Sequence, residues 1–228
     1  MKWDEFTRTL KVHQKYHIGG QQVPSVTTVL QNIGWKTAGL LRWAERIHAE
    51  DRDQNQERDA AAAVGATAHY LVQCWVKETE PDLSRVAPIH AEFAMQAYAN
   101  FQRWVGQTEV QPIASEVKVL SAQYRYGGTA DLICQIDGVR TLVDLKTSGG
   151  DTVYAESKIQ VAAYALAYNE EHDDAPVRRL CVLQMGRETG ACVAHFLSPE
   201  EWAAGQDAFL RARDLHELRK TLNKKARR

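Results

Sequence analysis

The segment from Tyr126 to Ser148, YGGTADLICQIDGVRTLVDLKTS, constrains the fold more than any other part of the chain. Two apolar, β-branched runs flank the dipeptide Asp137-Gly138, which favours the two-residue type I′ turn of a β-hairpin. This turn places Asp131 directly opposite Asp144, with Cβ atoms about 5 Å apart. The segment therefore predicts a hairpin that holds two carboxylates side by side.

Side chains alternate between the two faces of a strand, so the predicted hairpin has two distinct faces. One face carries Asp131, Ile133, Leu142, Asp144 and Lys146, and the other carries Leu132, Cys134, Ile136, Val143 and Leu145. Facing carboxylates repel each other unless a cation lies between them. That cation is either Lys146, in a buried ion cluster, or a divalent metal that leaves Lys146 to act on water or phosphate. If the repulsion between the carboxylates dominates, we expect Asp131→Asn to be more stable than the wild type when both proteins are measured without metal.

Further motifs surround the hairpin in a fixed order. They are Gly65-Ala66-Thr67-Ala68-His69, Glu116, Gly128-Thr129-Ala130-Asp131, Asp144-Leu145-Lys146-Thr147-Ser148, and Gln160 with Tyr164. Together they resemble the PD-(D/E)xK nuclease superfamily, in its RecB-like branch. The segment PSVTTVL is also similar to the amino-terminal part of phage-type and mitochondrial exonucleases of that branch. A D-x-K triplet alone occurs by chance in many proteins, but this ordered set is specific.

The resemblance implies a metal-dependent active site. It assigns metal binding to His69, Glu116, Asp131, Asp144 and the backbone carbonyl of Leu145, and catalysis to Lys146, Glu116, Asp131, Asp144, Gln160 and Tyr164. Carboxylate and carbonyl oxygens suit Mg²⁺ or Mn²⁺, and an imidazole ligand favours Mn²⁺, so we expect two such ions. Close to two metal ions, we expect the pKa of Lys146 to be lowered.

The resemblance also implies a substrate and partners. We expect a DNA exonuclease that acts from single-stranded ends in phage or bacterial recombination, repair or replication, with a single-strand annealing or binding protein as a partner. The alternatives are a structure-specific endonuclease and a non-catalytic nucleic-acid-binding module. Aromatic side chains stack on unpaired bases, and the candidate DNA contacts are Trp35, Arg42, Lys158 and Ser148.

Length and charge agree with a single catalytic domain. The 228 residues predict one nuclease domain over 1–228. Within it, we expect a mostly helical cap over 1–110 and a catalytic core over 111–228. The expected fold is an α/β, restriction-endonuclease-like core, a mixed central sheet flanked by helices. The net charge of −1 argues against a protein that binds nucleic acid mainly through bulk charge.

The positions of the cysteines and the hydropathy of the chain indicate which cofactors and which cellular location to expect. The four cysteines are scattered without a CxxC pair, which argues against an iron–sulfur cluster or a zinc site. No apolar run approaches the ~20 residues of a membrane span, and the charged start is unlike a signal peptide. We therefore expect a cytoplasmic protein without a membrane partner.

Periodicity predicts the remaining elements. Helices are expected over 37–50, 60–77, 88–105 and 154–171, and a strand over 114–120. Two strands should lie within 178–197. The capping box Ser198-Pro199-Glu200-Glu201 predicts the start of a last helix. In the third of these helices, Ile89, Phe93, Ala97, Phe101 and Trp104 form the expected buried face.

Overall fold

The hairpin centred on Asp137 and Gly138 forms as the sequence predicts. Strands β4 (Tyr126–Ile136) and β5 (Val139–Lys146) are antiparallel in the predicted register. Both turn residues have positive φ, 50° and 74°, as a type I′ turn requires. The computed structural model describes residues 14–35, 37–147, 152–188 and 190–225.

The hairpin lies at the centre of a five-stranded sheet. The other strands are β3 (Val110–Ser121), β6 (Arg179–Met185) and β7 (Cys192–Phe196). The strand order is β3-β4-β5-β6-β7, and only β5 and β6 are parallel to each other. A separate two-stranded sheet pairs β1 (Tyr16–Ile18) with β2 (Gln21–Val23). The main sheet is therefore mixed, as predicted.

Helices cover both faces of the sheet. They are α1 (Val26–Leu30), α2 (Thr37–Ala49), α3 (Gln54–Lys77), α4 (Pro88–Gln107), α5 (Ala155–Glu171) and α6 (Pro199–Lys225). The face that carries Ile133 and Leu142 packs against α1, α5 and α6. The face that carries Leu132 and Val143 packs against α3 and α4. This confirms both the predicted division of the hairpin and the fold class. Within the described ranges, no helix has the length and apolar character needed to span a membrane.

Two helices differ from their predicted form. Helix α3 begins at Gln54, before the predicted Ala60, because Asp53 caps it by accepting hydrogen bonds from the amides of two residues in its first turn. In α4 the prediction that Ile89 is buried is wrong, since 47% of this residue is exposed. The buried stripe lies at His90, Ala94, Ala97, Asn100, Phe101 and Trp104.

Helix α6 holds α5 in place. The predicted capping box forms: Ser198 Oγ accepts from the amide of Glu201 at 3.2 Å, and Glu201 Oε2 accepts from the amide of Ser198 at 3.0 Å. Within α6, Gly205 lets the two helices pack closely, because a Cβ at this position would lie 2.9 Å from the Cβ of Ala162. This packing matters because α5 carries one wall of the cleft described next.

Candidate active site

Strands β4 and β5 separate at the end of the hairpin, where the carboxylates lie. Their pairing runs from the turn to Leu132 and Val143. Beyond this point the backbone N–H of Leu145 donates to Asp131 Oδ2 at 2.8 Å. The Asp131 carboxylate therefore accepts this hydrogen bond in place of a backbone carbonyl of β4. Strand β5 continues beside β6, where Lys146 pairs with Gln184. The separation forms the floor of a cleft of about 640 Å³.

Helix α3 brings His69 to the floor of this cleft. Its Nδ1 lies 3.5 Å from Asp131 Oδ1 and 4.0 Å from Glu116 Oε1, and its Nε2 lies 3.1 Å from the backbone oxygen of Leu145. One turn earlier, a Cβ on Gly65 would lie 3.1 Å from Thr147 Oγ1. The glycine therefore lets α3 approach the end of β5 closely enough for His69 to reach the carboxylates.

Glu116 reaches the cleft through an unusual backbone conformation. Its φ is +52°, within the left-handed region that non-glycine residues seldom occupy. Its neighbours Ser115 and Val117 keep regular pairing with β4, so the distortion is confined to one residue. Strained backbone of this kind tends to cluster at functional sites.

His69, Glu116 and Asp131 form a group that suits a metal ion. One ligand atom from each lies within 4.8 Å of the others. Imidazole, carboxylate and the nearby Leu145 carbonyl are ligands that suit Mn²⁺ or Mg²⁺. Ligands at adjacent corners of an octahedral Mg²⁺ site lie about 3 Å apart, because the metal–ligand distance is about 2.1 Å. His69 Nδ1 lies 3.5 Å from Asp131 Oδ1, which is close to this spacing. The donor set therefore fits a divalent cation.

Asp144 has a different partner from Asp131. Its side chain is fully buried, and Lys146 Nζ lies 2.7 Å from its Oδ2. This contact is a close ion pair, and no other described group donates a hydrogen bond to either oxygen of Asp144. In this structure Lys146 is the cation beside Asp144, while His69 faces Asp131. Asp144 lies outside the group formed by His69, Glu116 and Asp131, so its role as a metal ligand stays a prediction.

The two aspartates ionise differently because their surroundings differ. Burial raises the pKa of Asp144, and the attraction of Lys146 only partly offsets this. Burial also disfavours the charge on Asp131, but His69, Lys146 and the Leu145 amide outweigh it, so the pKa of Asp131 is lowered. For His69, burial acts to lower the pKa, but the neighbouring carboxylates raise it above the ordinary value.

The pKa of Lys146 differs from the expected lowering. Burial acts in the expected direction, but Asp144 and Asp131 have the larger effect and raise the pKa of Lys146. The lowering predicted from the sequence assumed metal ions that neutralise these carboxylates. Without that neutralisation, Lys146 is a protonated donor.

Helix α5 holds Lys146 in place through two hydrogen bonds in series. Lys146 Nζ donates to Gln160 Oε1 at 3.2 Å, and Gln160 Nε2 donates to the hydroxyl of Tyr164 at 2.8 Å. The ring of Tyr164 lies against Gly128, where a Cβ would come within 2.4 Å of its Cε1. These contacts place Gln160 and Tyr164 beside Lys146, and their roles in catalysis stay predictions.

The predicted DNA contacts that fall within the described residues lie outside the cleft. Lys158 donates to Glu201 Oε1 at 2.5 Å, so its ammonium group faces α6. Trp35 and Arg42 are both exposed, and neither is among the residues that line the cleft. Ser148 lies outside the described residues. The roles of these four residues in DNA binding stay predictions.

Several cleft residues were not predicted from the sequence. Thr129 accepts or donates a 2.8 Å hydrogen bond with the hydroxyl of Tyr16. Ser157 and Gln184 line the cleft and are nearly buried, and Tyr154 lies at its edge. Two signals were available: a glutamine inside the apolar strand RLCVLQM, and a serine three residues before Gln160.

Comparison with known proteins agrees with this geometry. Residues 40–228 match the family model of the PD-(D/E)XK nuclease superfamily. The chain belongs to this superfamily. The match includes every residue of the candidate site, from His69 to Tyr164. Enzymes of the superfamily are nucleases that use divalent metals, and the His69 cluster is a candidate site for such an ion.

Solved structures show only a distant similarity. A protein from Eubacterium rectale, provisionally named an exonuclease, is 12% identical with a TM-score of 0.45, over 66% of this chain and 68% of its own. The protein SSO0001 is 14% identical with a TM-score of 0.32, over 65% of this chain and 72% of its own. No curated protein sequence matches the chain.

Proposed function

We propose that the protein is a divalent-metal-dependent DNA exonuclease of the RecB-like branch, which hydrolyses phosphodiester bonds from single-stranded ends. The observation that carries this proposal is the meeting of His69, Glu116 and Asp131 with the Leu145 carbonyl, beside a lysine held by Gln160. Elements distant in sequence supply these groups to one cleft. Such convergence of ligands and a positioned cation is typical of a catalytic site.

The chemistry assigned to each residue follows from its contacts. A bound Mg²⁺ or Mn²⁺ would supply charge stabilisation and an activated water. Asp131, Asp144, Glu116 and His69 would hold the metal. Lys146 is positioned by Gln160 to donate a hydrogen bond to a phosphate oxygen, and its positive charge would stabilise the charge that develops on the phosphoryl group.

The charge of the cleft supports a short contact with a single strand. Among the described residues that line it, only Lys146 and His69 carry or can carry positive charge. A long duplex tract is normally bound by many Lys and Arg contacts to phosphates. The cleft therefore suits the end of one strand. The RecB-like resemblance supports a role in phage or bacterial recombination, repair or replication, beside a single-strand annealing or binding protein.

The decisive experiment compares closed circular single-stranded DNA with the same DNA made linear, at equal concentration with Mn²⁺. An exonuclease needs a free end, so we expect the linear form to disappear and the circle to persist. End-labelled linear single-stranded and duplex DNA test the strand preference in the same buffer. We expect faster loss of the single strand.

Other outcomes would select an alternative. Equal loss of circle and linear DNA would identify an endonuclease. Faster degradation of linear duplex would contradict the single-strand preference. Binding of DNA without hydrolysis in either Mg²⁺ or Mn²⁺ would identify a non-catalytic module that keeps the fold.

A further inference from the structure

The amino-terminal end of helix α5 faces the cleft. Tyr154, Ser157 and Gln160 are spaced three residues apart, so they lie on the same side of the helix. Gln160 contacts Lys146, and both Ser157 and Tyr154 line the cleft. The row therefore leads from the catalytic lysine to the amino-terminal end of α5 at the cleft edge.

Ser157 is a buried polar residue whose hydroxyl has no protein partner. The residue is 3% exposed, and its side chain lines the cleft. Within the described ranges its hydroxyl makes no hydrogen bond, although a helical serine commonly bonds to the carbonyl four residues earlier. The Ser157 hydroxyl is not among the fully buried atoms that lack a partner, so it is accessible from the cleft, where a group that enters can accept a hydrogen bond from it.

The amino-terminal end of α5 adds two further donors. Tyr154 precedes the helix without a side-chain capping bond, and no described residue accepts from the amides of Ala155 and Glu156. Unpaired amides at a helix amino terminus, together with the helix dipole, favour an anion. Glu156, an acidic residue in the first turn, is buried and is not among the residues that line the cleft.

From this arrangement we infer that the amino-terminal end of α5 is a subsite for the backbone phosphate next to the cleaved bond, in which Ser157 donates a hydrogen bond to a phosphate oxygen. The ring of Tyr154, in a residue that is 57% exposed, stacks on the base of the same nucleotide. The inference rests on the proposed function, because it places this phosphate relative to the catalytic lysine.

Gln184 fixes the position of this subsite. It is 4% exposed and pairs with Lys146 in the parallel ladder between β5 and β6. Its Nε2 donates to the backbone oxygen of Thr152 at 2.9 Å, just before α5 begins. One residue therefore ties the start of α5 to the strand position beside the catalytic lysine.

The test is a coupling experiment between the protein and one phosphate. Fluorescent single-stranded oligothymidylates carry a single uncharged methylphosphonate linkage, moved one position at a time. Their affinity is measured by anisotropy with a chelator present, so that no strand is cut. Ser157→Ala is compared with the wild type. The control is Ser115→Ala, which removes another unpartnered hydroxyl that does not line the cleft.

We expect Ser157→Ala to weaken binding of the unmodified strand about tenfold, and Ser115→Ala to leave it within about twofold. At one position, the methylphosphonate should weaken binding to the wild type about tenfold as well. The same strand should bind Ser157→Ala almost as tightly as the unmodified strand does. This result would show that the Ser157 hydroxyl interacts with that phosphate. Tyr154→Ala should weaken binding about tenfold, and Tyr154→Phe should not.

Unchanged affinity of Ser157→Ala, or an equal loss for every methylphosphonate position in both proteins, would overturn the subsite. Hydrolysis with Mn²⁺ is measured separately on the same strands. Coupling without hydrolysis would leave the subsite in place and refute the nuclease proposal, whereas hydrolysis without coupling would refute the subsite alone.

Discussion

His69 Nε2 lies 3.1 Å from the backbone oxygen of Leu145, although 76 residues separate them in the chain. The contact joins α3 to the end of β5. The carbonyl accepts this hydrogen bond, so Nε2 carries the hydrogen and Nδ1, which faces Asp131 and Glu116, is left as the candidate metal ligand. Metal binding and the packing of α3 on the sheet are therefore coupled.

Mn²⁺ or Mg²⁺ should stabilise the folded protein, because the ligands converge only in the folded state. At a metal concentration one hundred times the dissociation constant, we expect the free energy of unfolding to rise by about 2.7 kcal/mol. The melting temperature should then rise by roughly 5–10 °C. Calorimetry with and without chelator measures it. Asp131→Asn should lose most of the response, and Asp207→Asn, an exposed carboxylate on α6, should keep it. If the metal does not raise the melting temperature of the wild type, Lys146 and His69 alone neutralise the carboxylates of the site.

Asp131→Asn should lower stability when a chelator is present, which reverses the expectation drawn from carboxylate repulsion. Asp131 is held by His69 at 3.5 Å and by the Leu145 amide, so its ionised form is favoured. We expect the free energy of unfolding to fall by about 1–2 kcal/mol and the melting temperature to fall by roughly 2–8 °C. A variant more stable than the wild type would restore the repulsion argument.

The pH dependence of the stability lost in Asp131→Asn follows from two pKa shifts of opposite direction, which share the attraction between Asp131 and His69 as a cause. The pKa of Asp131 is lowered from 3.8, so its contribution is present above that value and is lost as pH falls through the folded pKa. The pKa of His69 is raised from 6.5, so its contribution is present below that value and is lost as pH rises through the folded pKa. The melting temperatures of the wild type and Asp131→Asn should therefore differ most between these limits. At higher pH the difference should shrink to what the Leu145 amide and Lys146 contribute.

The register of the hairpin was predictable because its turn chemistry is local. Asp137 and Gly138 fix which residues face each other, and alternation then assigns every side chain to a face. The separation of β4 and β5 beyond Leu132 was not predictable, since the apolar alternation continues through it. It depends on Asp131 accepting the Leu145 amide, which is a side-chain contact and leaves no periodic signal.

Contacts between helices account for most of what the sequence did not show. Periodicity places Lys158 on α5 beside Gln160, but it does not show that α6 supplies Glu201 as a partner. Glu201 was predicted from its capping role alone. The position of His69 likewise depends on how closely α3 packs, which Gly65 permits. Family resemblance indicated His69 as a ligand, whereas periodicity placed it only beside an apolar stripe.

Lys146→Ala should reduce hydrolysis by about 10²–10⁴-fold, because the residue supplies the only ammonium among the described groups that line the cleft. Gln160→Leu should cause a smaller loss, since it removes the hydrogen-bond acceptor while Lys146 remains. Lys220→Ala, on the exposed side of α6, is the control and should cleave normally. Single-turnover assays with Mn²⁺ measure all three. Near wild-type cleavage by Lys146→Ala would refute the assignment of this active site.

Gly128→Ala should impair both stability and catalysis, because its Cβ would lie 2.4 Å from Tyr164 Cε1 and force the ring to move. Overpacking of this kind costs about 1–3 kcal/mol. Displacement of Tyr164 also removes the hydrogen bond that orients Gln160, and with it the support of Lys146. Thermal melts and single-turnover rates of the same preparation measure the two losses together.

Two further variants separate packing from positioning in this prediction. Gly106→Ala is a matched control in α4, since nothing lies within 4 Å of the point that its Cβ would occupy, and alanine there should be neutral or slightly stabilising. Tyr164→Phe keeps the ring and removes the hydroxyl that accepts from Gln160, so stability should change little while the rate should still fall. If Tyr164→Phe cleaves as fast as the wild type, the hydroxyl does not position Gln160, and the loss in Gly128→Ala comes from packing alone.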